Sequence, residues 1–407
     1  MSKPRYLTLR YLLFFALVAA ILAACSPEPV ATPEPTAEAT ADDETVFGMI
    51  LVGPRDDHGW SEAHHSGGEY VEANVPGTEM VVLENLNPDA RPDTTVETAV
   101  SDMVEEGADL IFITSDDFAA DTLVAAENHP DTRFVHTTGD HVLEGEAPSN
   151  LTNYMPRMFY GKMIAGCAAA LATDTGRIGY VGPLINDETR RLANAAYLGA
   201  RHCYETFQEQ DPDDLQFTVE WIGFWFHIPG VTTDPTEVTN QMFDDGADVV
   251  ISGIDTTEAL QVTAERAAAG ETVWAVPYDY EAACDEAPDI CLGVPYFNWG
   301  PGYVEFVQNV RQGDWESEWE WVEPDWDNFN DPDSSPIGYE KGPGLTDEQS
   351  ARLDTFIGNL ADGTVRLFQG PLRYQDGSVY LEDGEVATDE QIWYMPQLLE
   401  GMEGLSE

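Results

Sequence analysis

Lysine and arginine are scarce in this chain. It has 18 of them against 75 aspartates and glutamates, which gives a formal net charge of −57 at pH 7. Beyond residue 24 the lysines are reduced to Lys162 and Lys341. Such an acidic surface repels phosphate backbones and anionic lipid headgroups. Nucleic acid and anionic membrane surfaces are therefore poor candidates as partners.

Several motifs that carry chemistry are also missing. The chain has neither G-x-x-x-x-G-K-[ST] nor G-x-G-x-x-G, the loops that hold phosphates, and no H-E-x-x-H pair for zinc. It has no G-x-S-x-G turn for a nucleophilic serine. Two clusters leave other arrangements open, a metal site from His58, His64, His65, Asp56 and Asp57, or a nucleophile and base from Ser61 or Ser115 with His58 and Asp57. Adjacent histidines on a helix point to different faces, which disfavours the metal site, and Ser61 at the start of a helix is more simply an N-cap than a nucleophile. We therefore expect no metal, no cofactor and no enzymatic activity.

The N-terminal 24 residues are predicted to be a targeting segment. Three cations precede an apolar run over residues 12–21, which is too short to span a bilayer comfortably. The sequence Leu-Ala-Ala-Cys then ends at Cys25, a pattern that predicts cleavage before Cys25 and its lipidation. Residues 25–45 are rich in Pro, Ala, Thr and Glu and are predicted to form a disordered tether. We expect a domain lipid-anchored to the cell membrane on its extracytoplasmic side, with an ordinary signal peptide as the alternative.

The cysteines fit an exported protein. The chain has five, and no pair has the C-x₂-C spacing that a four-cysteine zinc site would need. Without Cys25 an even number remains, which permits disulfides outside the cytoplasm. Cys284 and Cys291 flank a proline-containing loop, so we expect them to pair, and Cys167 then pairs with Cys203.

An internal repeat is the strongest sign of organisation. Residues 105–140 and 244–279 align without gaps at a constant offset of 139. Each copy contains a helix ending at glycine, an apolar strand, a polar loop, an alanine-rich helix and a short strand. Apolar strands that alternate with helices are typical of a parallel sheet covered on both faces. The repeat predicts two similar α/β lobes, with chance similarity between two βαβ units as the alternative.

Acidic residues occupy equivalent places in the two copies. Asp116 and Asp255 follow one pair of matching strands, and Asp140 and Asp279 follow the next pair. Ligands bind outside the carboxyl ends of the strands in open parallel sheets. Lobes that face each other with these ends would bring the acids into one cleft. For Asp116 and Asp255, a helix N-cap is the alternative role.

Aromatic side chains follow predicted strands in the same way. Trp60 lies beyond the apolar run of residues 46–52, Trp225 and Phe226 follow a strand of the second half, and Trp299 follows residues 291–294. Rings from opposing lobes can stack on a flat ligand, and stacking on a base contributes roughly 1–3 kcal/mol. Packing in the core or between the lobes is the alternative for each aromatic.

The ordered set of motifs resembles a known family. It runs through GPRDDHGWSEAH, GADLIFITS, HPDTRFVHTTG, NYMPRMFYGKMIAGCAA, GRIGYVGP, FNWGPGYV, FQGPLRYQDGSVYLEDGE and IWYMPQLLEGMEG. It resembles the basic membrane protein family, also called purine nucleoside receptor A-like or Med-like. The members are substrate-binding lipoproteins of ABC transporters. The resemblance implies a type I periplasmic-binding-protein fold with a hinged cleft between two Rossmann-like lobes. We place the first lobe at residues 46–158 and about 296–345, and the second at about 159–295 and 346–404.

The resemblance also implies roles for single residues. Trp60 matches the aromatic that stacks on the purine, and Ser61 stands where nucleoside-binding members often have asparagine. The other matching positions are the polar pair Ser115 and Asp116, the helix residue Asn194, the second-lobe aromatics Trp225 and Phe226, and the acid Asp279. With Asp255 and Trp299 from the cleft argument, these are the predicted ligand-binding residues.

The resulting hypothesis is a monomeric, lipid-anchored receptor that captures a purine base, such as adenine, or a purine nucleoside. It would deliver the ligand to an ABC permease and its ATPase. Receptors for another small polar solute share this fold, so that alternative stays open. So do a ligand-sensing surface lipoprotein without a permease and an exported hydrolase.

Overall fold

A computed structural model of the chain describes residues 44–407. The predicted signal peptide, the lipidation at Cys25 and nearly all of the predicted tether lie outside the described residues. The first strand begins at Thr45, one residue before the predicted start. Within the described part, no helix is both long and apolar enough to cross a bilayer.

The first lobe is a parallel sheet whose strands alternate with helices. Its elements are β1 (Thr45–Leu51), α1 (Trp60–Asn74), β2 (Thr78–Leu83), α2 (Val96–Glu105), β3 (Ala108–Thr114), α3 (Ala119–Asn128), β4 (Arg133–His136), α4 (His141–Glu144) and β5 (Leu151–Pro156). The spatial order of these strands is β2-β1-β3-β4-β5, and a sixth strand from later in the chain joins β5.

The second lobe repeats this arrangement. Its elements are α5 (Phe159–Ala172), β6 (Arg177–Gly182), α6 (Asp187–Thr206), β7 (Gln216–Trp221), α7 (Pro235–Asp244), β8 (Val249–Ser252), α8 (Glu258–Ala268) and β9 (Trp274–Val276). The parallel order β7-β6-β8-β9 matches β2-β1-β3-β4. Gly107 and Gly246, at matching positions before β3 and β8, have φ angles of +99° and +98°. The predicted pair of similar α/β lobes is therefore confirmed.

The rest of the chain adds one strand to each of the two sheets and forms two short antiparallel ribbons. Its elements are β10 (Gly293–Phe297), α9 (Gly300–Gln312), β11 (Trp319–Val322), β12 (Ile337–Lys341), α10 (Asp347–Ala361), β13 (Leu372–Arg373), β14 (Val379–Leu381), α11 (Asp389–Trp393) and β15 (Met402–Glu403). Strands β10 and β12 form an antiparallel ribbon, β11 pairs with β5, and β15 pairs with β7. Our assignment of residues 296–345 to the first lobe and of residues 346–404 to the second stays a prediction.

Helices α5 and α6 lie backbone against backbone in the second lobe. A Cβ atom on Gly166 or Gly199 would lie 1.8 or 2.0 Å from a main-chain oxygen of the other helix. Only glycine permits this approach. The disulfide Cys167–Cys203 joins the same two helices, and Cys284–Cys291 closes a short loop. Both predicted disulfides are confirmed.

Candidate ligand-binding site

A cavity lies at the carboxyl ends of the strands of both lobes. In each sheet the strand order reverses at this point, between β1 and β3 and between β6 and β8. Such reversals are where open α/β sheets bind ligands. The space at the cavity is about 420 Å³, a figure that includes the open solvent at its mouth. The first lobe contributes Trp60, Ser115, Asp116 and Thr138, and the second contributes Tyr180, Glu188, Thr189, Leu192, Trp225, Gly253, Asp255 and Tyr278.

Trp60 is a fixed aromatic wall of this cavity. It is the first residue of α1 and is only 8% exposed. Its indole N–H donates to the main-chain oxygen of Thr114, at the end of β3, at 2.7 Å. Because that hydrogen bond uses its polar atom, the indole offers the cavity an apolar surface. Trp60 therefore lies in the cavity lining, and its predicted contact with a ligand stays a prediction.

The loop before Trp60 is held by Asp57. One carboxylate oxygen accepts from the backbone N–H groups of Gly59 and Glu62 at 3.0 and 2.9 Å, and the other accepts from the N–H of Ser61 at 3.0 Å. Burial raises the pKa of Asp57 to about 6, against the opposing effect of these hydrogen bonds. Asp57 thus caps the helix that carries Trp60.

Ser61 is tied to the same loop. Its hydroxyl accepts from the backbone N–H of Gly53 at 3.0 Å, and its side chain is not among those lining the cavity. Ser61 is the second residue of α1 and not its N-cap, and the side chain that accepts from the N–H groups of the first turn is that of Asp57. The position of Ser61 therefore favours a role in shaping the loop over direct contact with a ligand.

A column of aromatic rings supports Trp60 from behind. His64 packs edge-on against Trp60 with ring centroids 4.5 Å apart and stacks on Trp299 at 4.1 Å. Phe297 continues the stack on the other side of Trp299 at 4.6 Å. Trp299 is 1% exposed and does not line the cavity. The expected contact between Trp299 and the ligand is thus replaced by a supporting position.

The histidines that we considered as metal ligands are engaged separately. His64 Nδ1 lies 2.5 Å from the Tyr303 hydroxyl, and His58 Nδ1 lies 3.2 Å from a carboxylate oxygen of Glu62. Elsewhere, Asp140, His141 and Glu144 bring ligand-type atoms within 4.8 Å of one another. His141 Nε2 already lies 2.8 Å from the Ala119 carbonyl oxygen, and we assign no metal to this group.

Two hydrogen bonds join the lobes across the cavity. The amide of Asn186 donates to the Asp116 carboxylate at 3.0 Å, and the hydroxyl of Thr138 donates to the Glu188 carboxylate at 3.3 Å. Asp116 and Thr138 belong to the first lobe, while the other two belong to the start of α6. The lobes are also in backbone contact, because a Cβ on Gly59 would lie 1.7 Å from the main-chain oxygen of Asp255. The structure is therefore a closed form.

Carboxyl groups dominate the polar lining. Burial raises the pKa of Asp116, with the guanidinium of Arg191 opposing the shift. Burial also raises the pKa of Asp255 well above its usual value, and repulsion from Asp279 adds to the shift. The carboxyl oxygens accept hydrogen bonds from N–H or O–H donors, and a carboxyl group that stays ionised also repels a ligand that carries phosphate or carboxylate. With the aromatic walls, they suit a flat, uncharged or cationic ring with N–H groups.

Asp279 lies beneath the cavity wall, not among the lining residues. It is fully buried with φ at +73°, and its backbone bonds to β10 through Pro295 and Phe297. No hydrogen bond reaches its carboxylate oxygens in the described structure. Burial raises its pKa well above the usual value, while the ammonium of Lys162 opposes this. Asp279 thus lies outside the cavity lining and repels the charged form of Asp255, and its predicted contact with a ligand stays a prediction.

Asn194 and Phe226 are likewise absent from the lining. The Asn194 amide donates to the carbonyl oxygen of Gln397 at 3.0 Å, and its oxygen accepts from the N–H of Leu399 at 2.9 Å. Asn194 thus fastens the C-terminal segment to α6. Phe226 packs against Phe224, with centroids 5.1 Å apart. Both positions differ from the ligand contacts that the resemblance implied.

The sequence did not reveal Glu188, Tyr180, Tyr278 or Thr138. Glu188 lies in the first turn of α6, where acidic residues are common because the helix dipole stabilises negative charge there. An acid at this position therefore does not by itself indicate a binding site. Tyr278 precedes the repeated acid Asp279, and this position is the feature of the sequence that could have predicted its place in the cavity. Tyr180 and Thr138 enter the cavity because the two lobes meet, and no local pattern marks them.

Glu188 should make stability fall as pH rises. Burial raises its pKa from 4.5 to about 7, so between these values the folded protein holds a proton that the unfolded chain releases. The free energy of unfolding should drop over this window by roughly 3 kcal/mol and level off above it. Glu188→Gln should make the drop between pH 5 and pH 8 in urea unfolding smaller by this amount, while Asp57 keeps its own contribution to the drop. Glu205→Gln, on the exposed end of the same helix, is the control, and an equal drop in both variants would contradict the assignment.

Comparison with known proteins places the chain in a family. A family profile described as ABC transporter substrate-binding protein PnrA-like matches residues 44–322. The chain belongs to this family. As the resemblance predicted, it is a substrate-binding protein of the ABC-transporter type.

Individual relatives of this PnrA-like protein cover most of its length. A purine-binding protein of Brucella abortus (strain 2308) is 28% identical over 370 residues, 90% of this chain and 95% of the relative. A putative ABC transporter glucose-binding protein of Haloferax volcanii is 26% identical over 367 residues, 89% of this chain and 82% of the relative. A solved ABC transporter solute-binding protein of Aeropyrum pernix K1 has a TM-score of 0.63 at 12% identity, over 81% of this chain and 93% of its own. The predicted type I fold is confirmed.

Proposed function

We propose that this PnrA-like protein is a lipid-anchored receptor that captures a purine base or nucleoside and hands it to an ABC permease. The observation that carries the proposal is the combination of the Trp60 indole with an acceptor-rich lining. Trp60 presents a ring surface with its N–H already bonded, while Asp116, Glu188 and Asp255 offer oxygens to N–H donors. The purine-binding relative from Brucella abortus supports the same ligand class.

Capture would involve closure of the two lobes over the ring. A ligand that contacts both walls binds the closed form better than the open form and so shifts the population toward closure. The closed form is then the one that would dock on the permease. Ligand groups that fail to match the carboxyl oxygens leave buried polar atoms unpaired, which gives the site its selectivity.

The lipid anchor and extracytoplasmic location are part of the proposal. The lipobox ending at Cys25 supports them, and so do the two disulfides, because disulfides persist in oxidising compartments. Metabolic labelling with a fatty-acid analogue tests the anchor, with Cys25→Ser as the control. Label retained on that variant would contradict lipidation at Cys25.

Titration calorimetry of the folded domain with a ligand panel tests the ligand class. The panel contains adenine, guanine, hypoxanthine, their nucleosides, AMP and glucose. We expect binding of at least one base or nucleoside and none of AMP, because the carboxyl lining repels phosphate. Glucose binding without purine binding would instead support the alternative suggested by the Haloferax volcanii relative. Chromatography of the same mixtures detects hydrolysis products, which would indicate an enzyme.

Trp60→Ala should weaken purine binding by about 1–3 kcal/mol, or about 5- to 150-fold, because it removes the stacking surface. Trp315→Ala is the matched control. Its indole N–H also donates to a main-chain oxygen, that of Ser149 at 3.0 Å, but its ring lies outside the cavity lining. Unchanged affinity in the Trp60 variant, measured by calorimetry, would contradict the stacking role.

A further inference from the structure

The second-lobe aromatic of the cavity, Trp225, differs from Trp60 in its hydrogen bonding. Trp225 lines the cavity, and its indole nitrogen is buried without a hydrogen-bond partner in the described structure. Of the twelve lining residues, Trp225 alone has a buried side-chain polar atom that lacks a partner. Trp299 and Trp319 also have unpartnered indole nitrogens, but neither lines the cavity.

The backbone holds Trp225 next to a lining carboxyl group. Its main-chain oxygen accepts from the N–H of Asp255 at 3.0 Å. The loop that carries it is fastened at its base, where the N–H of Gly223 donates to the Pro183 oxygen at 2.9 Å and the N–H of Thr233 donates to the Ile222 oxygen at 2.9 Å. This main-chain hydrogen bond places Trp225 and Asp255, two residues of the cavity lining, next to each other.

A buried N–H without a partner is costly, since it loses its hydrogen bond to water and gains none in return. At Trp60 the protein itself supplies the acceptor, the Thr114 oxygen. Trp225 lines the cavity, so a ligand bound there is a source of an acceptor for its indole N–H. We propose that Trp225 determines specificity: its indole N–H donates a hydrogen bond to a ring nitrogen or carbonyl oxygen of the bound purine.

This inference rests on the proposed function and sharpens it. The two tryptophans, alike in sequence, then have different tasks, because Trp60 supplies a surface and Trp225 supplies a directed donor. Next to Asp255, the donor would recognise a purine edge on which an acceptor atom stands beside an N–H group. A saturated hydrocarbon ring or an aromatic ring without nitrogen fills the same space but leaves the indole N–H unpaired.

A cycle of protein and ligand variants tests the proposal. The proteins are the wild type, Trp225→Phe and, as the matched control, Trp60→Phe. The ligands are adenine and its 1-deaza, 3-deaza and 7-deaza analogues, each of which replaces one ring nitrogen by C–H. Calorimetry measures each dissociation constant, and circular dichroism checks that each variant is folded.

We expect Trp225→Phe to weaken adenine binding by roughly 5- to 50-fold, because the ligand's acceptor is left unpaired. One deaza analogue should bind the wild type and Trp225→Phe equally, which identifies the atom that accepts the hydrogen bond. Trp60→Phe should weaken all four ligands by a similar factor, because its N–H bonds to Thr114.

The outcomes that overturn the proposal are distinct. If adenine binds Trp225→Phe as tightly as the wild type, or if the substitution weakens all four ligands equally, Trp225 is a wall and not a donor. In both cases purine binding itself stands. If the wild type binds no purine of the earlier panel, the proposed function fails and this inference fails with it.

Discussion

Gly59→Ala should abolish tight ligand binding while leaving both lobes folded. A methyl group at this position would lie 1.7 Å from the main-chain oxygen of Asp255, far inside van der Waals contact. Because the obstacle is backbone and not a flexible side chain, rotamer changes cannot relieve it. The lobes would have to stay apart, so the ligand would lose its contacts with the second wall. We expect an affinity loss on the order of a thousand-fold, since apparent affinity scales with the fraction of protein able to close.

The matched control is Gly358→Ala. Gly358 lies in α10, and a Cβ there would meet nothing within 4 Å. An alanine within a helix is favoured over glycine by about 1 kcal/mol, so this control should bind normally and unfold slightly later. Calorimetry measures binding, and small-angle scattering of Gly59→Ala should show a larger radius of gyration with ligand than the wild type has. Wild-type affinity in Gly59→Ala would contradict a closed, ligand-bound state of this geometry.

Loss of the Cys167–Cys203 disulfide should be the largest stability effect. The bond closes a loop with a sequence separation of 36 residues. In the chain-entropy account, a loop of this size contributes roughly 4 kcal/mol, because the bond restricts the unfolded chain. The double variant Cys167→Ala and Cys203→Ala should therefore lower the urea midpoint of the second lobe markedly.

The second disulfide provides an internal comparison. Cys284–Cys291 has a sequence separation of 7 residues, for which the same account gives roughly 2 kcal/mol. Its double alanine variant should lose about half as much stability as the first. Equal losses in the two variants would contradict the dependence on loop length, and no loss in the Cys167 and Cys203 variant would show that the close packing of α5 on α6 suffices without the bond. Far-ultraviolet circular dichroism in urea measures both variants.

The topology could be predicted because its cause is local and repeated. Residues 105–140 and 244–279 carry the same succession of apolar strand, polar loop and helix, and parallel strands place their carboxyl ends on one edge of a sheet. Asp116 and Asp255 follow such strands closely, Trp60 follows β1 after a loop, and all three line the cavity. For these residues, the position after a predicted strand was enough to predict that they lie at the cavity.

The remaining site residues depend on contacts between distant parts of the chain. The Asn194 side chain forms hydrogen bonds with the main chain of Gln397 and Leu399, some two hundred residues later. No spacing in the sequence predicts these two hydrogen bonds. The sequence also cannot distinguish Glu188 from Asp187, two acids in the same helical turn, of which only Glu188 is buried. Strand β14 pairs with β13, whose two residues are too few to show a strand pattern in the sequence.

The hydrogen bonds that join the lobes have a kinetic consequence. Asp116 and Glu188, which line the cavity, are also the groups that accept from Asn186 and Thr138 of the facing lobe. A ligand that uses the same oxygens competes with these bonds, and it reaches them only after the lobes have parted. Capture then becomes gated: at high solute concentration the observed association rate levels off at the opening rate of the lobes, well below the diffusion limit.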